Sequence, residues 1–112
     1  MNESPLFSRT YDLLLWLIPQ AQKFPRTYRF NLAERIQRLA LDFQESIVAA
    51  GKSRGPERGG WLHTADLQLE QLRVAIRLAR DLHLITFRQY EHVIRMANEV
   101  GRLLGAWIKQ SA

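Results

Sequence analysis

The stretch from Thr86 to Lys109 constrains the fold most, because it carries two patterns that only a helix brings together. Cations recur at every seventh position, which is two helical turns, so they line one edge of a helix. These cations are Arg88, Arg95, Arg102 and Lys109. Apolar residues cover roughly half of the circumference, wider than the ~100° that one core contact needs. They are Tyr90, Val93, Ile94, Met96, Ala97, Val100, Leu103, Leu104, Trp107 and Ile108. We therefore predict a helix over about 86–110 that contacts more than one neighbour.

Small residues stand four apart within this helix, at Ala97, Gly101 and Gly105. A glycine costs a helix about 1 kcal/mol relative to alanine. The apolar pattern continues past Gly105, so we predict close packing at both glycines rather than a broken helix end.

Three earlier segments have helical signals, and no strand is predicted. The first helix covers about 4–22 and begins with Ser4 as cap and Pro5 in its first turn. The second covers about 28–50, and its inward face is predicted to be Phe30, Ala33, Ile36, Ala40, Phe43 and Ile47. Glu34 and Arg38 form an exposed pair on this helix.

The third helix, about 60–84, has two apolar sets. A heptad-like seam runs through Leu62, Ala65, Leu69, Leu72, Ile76 and Ala79. A second set, Leu67, Val74, Leu78 and Leu82, lies away from that seam. Two apolar sets on one helix predict an obligate oligomer, because a monomer covers only one of them.

Residues 51–60 contain four of the six glycines and are predicted to form a flexible loop, with Gly51 as a left-handed cap of the second helix. Gly51-Lys52-Ser53 resembles the end of a P-loop, but Ser46 stands where that motif requires glycine. We therefore predict no nucleotide site. The whole chain, 1–112, is predicted to be a single all-α domain, an antiparallel four-helix bundle.

Charge gives the first functional suggestion. Sixteen Lys and Arg against eleven Asp and Glu give a net charge of +5, and most of the cations are arginine, which suits phosphate and carboxylate. The chain has no cysteine, its longest apolar run is Leu13 to Ile18, and Asn2-Glu3 is unlike the basic start of a signal peptide. We therefore expect an unexported cytoplasmic protein with no membrane partner and a polyanionic ligand.

Local pairing of charges predicts which cations are functional. Arg73, Arg77 and Arg80 share one face of the third helix with Asp66 and Glu70. Arg77 and Arg80 have no carboxylate one turn earlier, and the adjacent Asp81 is expected to point elsewhere. On the fourth helix, Glu91 and Glu99 can each reach Arg95 and so neutralise it, whereas Arg102 has Glu99 alone and Lys109 has neither. Arg77, Arg80 and Lys109 are therefore predicted to contribute more to binding than Arg95.

The segment Lys23–Phe30 interleaves cations, Arg26 and Arg29 among them, with three aromatic residues. One interpretation is stacking and phosphate contact with nucleic acid. The favoured interpretation is that the aromatic residues close the core and the cations are solvated.

Catalytic or metal chemistry has little support. Bundles that hold two metals use Glu-x-x-His pairs, and His63, His83 and His92 have no glutamate at that offset. We predict no enzyme activity, no metal site and no cofactor.

Several motifs together resemble a known family of four-helix bundles. They are Arg9-Thr10-Tyr11-Asp12-Leu13, Lys23-Phe24-Pro25-Arg26 to Phe30, Leu72-Arg73, Tyr90, and Glu99 to Lys109. The family is that of the bacterial accessory variability determinants, partners of the reverse transcriptases of diversity-generating retroelements, and it also includes proteins encoded by intervening sequences in large-subunit rRNA genes. This chain has Leu104-Gly105-Ala106-Trp107 where close relatives often read Leu-Gly-Gly-Trp.

The resemblance implies a homopentameric barrel of basic four-helix protomers that binds the reverse transcriptase, RNA and DNA, and so supports mutagenic copying of a template RNA into cDNA. Two alternatives stay open: an rRNA-linked or general RNA-binding bundle without a polymerase partner, and a purely structural oligomerisation module. The binding residues under the first hypothesis are Arg26, Arg29, Arg73, Arg77, Arg80, Arg88, Arg95, Arg102 and Lys109.

Overall fold

Four α-helices make up nearly all of the chain in the computed structural model, which describes residues 4–111. They are α1 (Pro5–Gln22), α2 (Leu32–Gly51), α3 (Gly55–Asp81) and α4 (Phe87–Ser111). A short 3-10 helix, Arg26–Tyr28, lies between α1 and α2, and residues 4–111 contain no strand. Each helix packs on its sequence neighbours, and α4 packs back on α1. This all-α four-helix bundle is the predicted fold; Asn2 and Glu3 lie outside the described residues.

Side-chain caps define two helix starts, and that of α1 follows the predicted signal. The Ser4 hydroxyl accepts a hydrogen bond from the backbone N–H of Leu6 at 3.2 Å, and Pro5 opens α1. Before α4, the N–H of Gln89 donates to Thr86 Oγ1 at 3.0 Å and the N–H of Thr86 donates to Gln89 Oε1 at 2.8 Å. This reciprocal capping box satisfies backbone donors that a helix start leaves without partners.

The core lies along the predicted inner faces. All six residues of the α3 seam are buried, and so are Val93, Ala97, Val100 and Leu104 of α4. One polar pair links α2 to α3, where the buried Ser46 hydroxyl donates to Gln68 Oε1 at 2.7 Å. Asp42 O of the same helix lies 3.1 Å from Ser46 Oγ and is the alternative acceptor, since a hydroxyl has one proton to donate. Either acceptor satisfies the buried hydroxyl.

Phe30 is the main error in the predicted core. Its side chain is 80% exposed, although the other five residues predicted on the inward face of α2 are buried. The prediction extended the helix back to 28, but α2 begins at Leu32, where Asn31 caps it by accepting a hydrogen bond from the Leu32 N–H. Phe30 therefore lies before the helix, out of phase with its buried face. Phe24 is buried and Tyr28 half-buried, so two of the three aromatics do pack on the core.

The predicted loop 51–60 is largely helical. α3 begins at Gly55, and only Lys52, Ser53 and Arg54 separate it from α2. Pro56 lies in the first turn of α3, where its missing N–H costs no helical hydrogen bond. Gly51 is the last residue of α2 and has no positive φ; the positive φ of 56° belongs to Gly55. The glycine content suggested flexibility, but the proline marks a helix start.

Tight packing occurs at Gly101 but not at Gly105. A Cβ at Gly101 would collide with Arg73 Nη2 and would lie 3.4 Å from Leu69 Cδ2, whereas nothing lies within 4 Å of one at Gly105. The neighbour at Gly101 is a side chain of α3 rather than the backbone of another helix. The prediction of close packing is therefore right for Gly101 and wrong for Gly105.

The turn between α3 and α4 is closed by a Schellman motif. His83 has φ 61°, its N–H bonds to Arg80 O at 2.9 Å, and the N–H of Leu84 reaches Ala79 O at 2.8 Å. A histidine thus occupies the left-handed position that glycine usually takes. The motif ends α3 at Asp81 and turns the chain back into α4.

Candidate nucleic-acid interface

Arg73 lies between α3 and α4 and is held from both helices. Its Nε donates to Asn98 Oδ1 of α4 at 3.1 Å, and its Nη1 lies 3.0 Å from Glu70 Oε1 of α3. The guanidinium covers Gly101, and the side chain is 28% exposed. Arg73 therefore joins the two helices, and only part of its charge faces solvent.

Arg80 is also held in place, contrary to prediction. Its Nε donates to Asp81 Oδ1 at 2.9 Å, and its guanidinium carbon lies 4.5 Å from the centroid of the Tyr90 ring. Asp81, expected to point elsewhere, is thus the partner of Arg80. Adjacent residues of a helix point about 100° apart, but the arginine side chain is long enough to bend back to Asp81. Its guanidinium also lies over the Tyr90 ring, and this cation–π contact links α3 to α4.

Arg77 differs from these two arginines although it shares their face of α3, four residues after Arg73 and three before Arg80. Its side chain is exposed, and no ion pair within residues 4–111 includes it. The prediction that Arg77 has no carboxylate partner therefore agrees with the structure. Its charge faces solvent between two cations that are held against α4.

The four cations of α4 lie on the side of the helix opposite its buried residues, and all are exposed. Arg102 Nη2 lies 3.7 Å from Glu99 Oε2, as predicted. Glu99 also accepts from Arg9 Nε of α1 at 3.1 Å, so it is directed toward α1 rather than toward Arg95. No ion pair within the described range includes Arg95, Arg88 or Lys109. The predicted neutralisation of Arg95 is therefore wrong: Glu99 is directed toward α1, and Glu91 forms no ion pair within residues 4–111.

Arg26 and Arg29 lie away from the α4 edge, at the connection between α1 and α2. Arg26 begins the 3-10 helix and Arg29 follows it; both side chains are exposed. They are not part of the surface formed by α3 and α4. The predicted site residues thus separate into a group on α3 and α4 and a pair at one end of the bundle.

Sequence reasoning did not find the role of Arg58. Its Nε donates to Ala50 O at 2.9 Å, and its guanidinium carbon lies 5.7 Å from the Trp107 ring centroid. It thereby ties the start of α3 to the ends of α2 and α4. No local spacing signals such a contact, because the three residues are joined only by the fold.

Other kinds of site have little structural support in the described range. Residues 4–111 contain no group of three or more His, Cys, Asp or Glu side chains placed to hold a metal ion. No helix of these residues is long and apolar enough to cross a membrane. The surface of α3 and α4 is instead an open set of arginines and one lysine, an arrangement suited to phosphate or carboxylate groups.

The fold and this surface define a small basic four-helix-bundle protein. A family model described as bAvd-like matches residues 6–111, so the chain belongs to the bAvd-like family. The resemblance drawn from the sequence motifs is thereby confirmed.

Among solved structures, the chain is similar to a protein of unknown function from the S23 ribosomal protein family of Bacteroides thetaiotaomicron. The two share 17% identity with a TM-score of 0.85, over 93% of this chain and 95% of the other. At this identity the similarity shows a shared fold. A comparison with curated protein sequences gives no significant match. Neither the family nor the structural neighbour indicates an enzyme.

Proposed function

We propose that the protein is a non-enzymatic cytoplasmic accessory subunit of a diversity-generating retroelement. It binds the element's reverse transcriptase together with template RNA and cDNA, and so supports mutagenic reverse transcription. Membership of the bAvd-like family supports this proposal, as does the basic surface of α3 and α4.

The observation that carries the proposal is the set of exposed cations with no carboxylate partner among residues 4–111. On α3 and α4 this set is Arg77, Arg88, Arg95 and Lys109. An unpaired arginine can exchange counterions for a phosphate without first breaking an internal ion pair. Arg73 and Arg80 have a different role: they hold α3 against α4 and so keep the free cations of the two helices on one surface.

The same proposal includes assembly into a homopentameric barrel. Its support is the apolar surface left uncovered by the bundle, above all Leu67, Val74 and Leu78 of α3 and Leu82 just after it, which are 39–59% exposed. A contiguous apolar surface on a basic protein is typical of a protein interface. Assembly multiplies each cation in the ring, which raises the affinity of a weak phosphate contact.

A salt titration tests the nucleic-acid part of the proposal. The logarithm of the affinity for RNA should fall linearly with log salt, by about 0.7 to 0.9 per phosphate neutralised. The triple variant Arg88→Ala, Arg95→Ala, Lys109→Ala should bind more weakly and with a shallower slope. Arg38→Ala is the matched control, since Arg38 is exposed but paired with Glu34 at 3.0 Å on another helix. A flat salt response of the wild type would contradict the proposal and favour a structural oligomerisation module.

The polymerase part needs its own experiment. The wild-type protein and the triple variant are mixed with the reverse transcriptase encoded beside the gene, and co-elution is measured after nuclease treatment. We expect a complex with the wild type that survives nuclease, because the protein contacts are direct.

The second candidate is an RNA-binding bundle of the rRNA-linked type with no polymerase partner, and the structural neighbour from the S23 ribosomal protein family favours it. A reverse transcriptase gene with paired template and variable repeats beside this gene supports the first candidate. An rRNA gene around it, with RNA binding but no reverse transcriptase complex, supports the second.

A further inference from the structure

Two phenylalanines project from one end of the bundle, here called the turn end. It is formed by the end of α1, the 3-10 helix, the start of α2 and the α3–α4 turn, which the antiparallel order places together. Phe30 is 80% exposed and Phe87 is 64% exposed, more than any other aromatic side chain in residues 4–111. Neither contributes to the core, so burial within the subunit does not explain them.

The surroundings of these rings are basic. Residues 22–38 and 78–92, which form the turn end, contain seven Lys or Arg against three Asp or Glu. Two of the three carboxylates, Glu34 and Asp81, are already paired with arginines, and Glu91 has no ion pair within the described range. The exposed cations without a carboxylate partner here are Lys23, Arg26, Arg29, Arg35 and Arg88.

We propose that the turn end binds single-stranded RNA or DNA, with Phe30 and Phe87 stacking on unpaired bases while Arg26, Arg29 and Arg88 contact phosphates. In a duplex both faces of each base are covered by its neighbours, so an exposed ring discriminates in favour of single strands. Stacking tolerates any base, which gives weak sequence preference. This inference rests on the proposed nucleic-acid binding and names its ligand as single-stranded.

The experiment measures fluorescence anisotropy of a labelled single-stranded oligonucleotide and of the duplex of the same sequence. Phe30→Ala and Phe87→Ala should each weaken single-strand binding roughly 5- to 100-fold, as loss of one stacking contact does. Duplex affinity and the salt slope should stay unchanged, because the phosphate contacts remain. Phe30→Trp and Phe87→Trp should retain binding, which shows that a ring is what matters.

Tyr11→Ala is the matched control, since Tyr11 is 58% exposed but lies on α1 away from the turn end. It should bind like the wild type. Thermal unfolding of each variant shows whether the fold is intact. As a direct probe of stacking, the fluorescence of a 2-aminopurine base in the single strand should be quenched more by the wild type than by the double alanine variant.

Two results would overturn the inference while leaving the proposed function standing. One is single-strand binding that survives both alanine substitutions. The other is a double alanine variant that binds the oligonucleotide with wild-type affinity but no longer forms the reverse transcriptase complex, which would make the turn end a protein contact. If the wild type binds no nucleic acid even at low salt, the proposed nucleic-acid binding and this inference both fail.

Discussion

Two faces of α3 differ in which kind of side chain is exposed to solvent. On the face toward α4, the charged Arg73 and Arg80 are only 28% and 30% exposed and bridge two helices. On the face away from the core, Val74 and Leu78 are 59% and 47% exposed. These two charged side chains therefore pack against α4, whereas these two apolar side chains face solvent.

This difference shows that residue type alone does not locate a binding surface. An arginine has a long apolar stem and a planar head, so it packs between helices while its charge is satisfied by carboxylate, amide or ring partners. An exposed leucine on the same helix has no partner in the subunit. Arg73 and Arg80 attach α3 to α4, and the apolar face of α3 is the one that the proposed assembly would bury.

The largest expected effect comes from charging the apolar face. Val74→Glu with Leu78→Glu should convert the proposed oligomer into a monomer near 13.1 kDa, because burying two carboxylates at an interface costs far more than the contact gains. Light scattering on a sizing column measures the mass. Gln110→Glu, at an exposed polar position of α4, should leave the mass unchanged.

Two other exposed leucines provide the cross-check. Leu15 of α1 is 63% exposed and Leu41 of α2 is 46% exposed. If these leucines contact the apolar face of α3 in a neighbouring copy, Leu15→Glu with Leu41→Glu also gives monomers, and mixing these with the α3 variant restores a dimer of one copy of each. A monomeric wild type, or an α3 variant of unchanged mass, would contradict the role assigned to this face.

Arg73 of α3 contacts α4 at Gly101, and replacing this glycine by a larger residue should have the next largest effect on stability. Gly101→Leu should lower the free energy of unfolding by about 1–3 kcal/mol, as overpacking does, since the new side chain displaces Arg73. Gly105→Leu is the control: its Cβ meets nothing within 4 Å, and leucine favours a helix over glycine by up to about 1 kcal/mol. Equal melting temperatures for the two variants would show that Arg73 moves aside freely.

Helical periodicity was sufficient to predict the four helices and the buried seam of α3, because both depend on residue spacing within one segment. It failed at Phe30 and at 51–60, where the phase of the chain changes between helices. There the helix start is set by Asn31 and Pro56, local signals that compete with hydrophobic spacing and glycine content.

The site was less predictable because ion pairing crosses between helices. Spacing on α4 assigned Glu99 to Arg95, but Arg9 of α1 draws that carboxylate away. Spacing on α3 left Arg80 unpaired, but Tyr90 of α4 and the neighbouring Asp81 hold it. The predictions hold for Arg77 and Lys109, which have no carboxylate partner within residues 4–111, and for Arg102, which pairs with Glu99.

The smallest effects should separate the held arginine from the free cations. Arg80→Ala should lower stability by about 1 kcal/mol through loss of the stack on Tyr90, whereas Arg77→Ala, Arg95→Ala and Lys109→Ala should each stay within about 0.5 kcal/mol of the wild type. For RNA binding the order reverses: each of those three should lower the salt slope by about 0.7 to 0.9 if its cation contacts one phosphate, while Arg80→Ala should leave the slope nearly unchanged. Melting temperature and salt-dependent anisotropy are measured for all four variants together.

The most informative variant is Arg95→Ala, because the sequence pairs Arg95 with Glu91 and Glu99 and the structure leaves it unpaired within residues 4–111. An Arg95→Ala variant that binds like the wild type while Arg80→Ala loses binding would mean that contacts inside the subunit do not decide which cations reach the ligand.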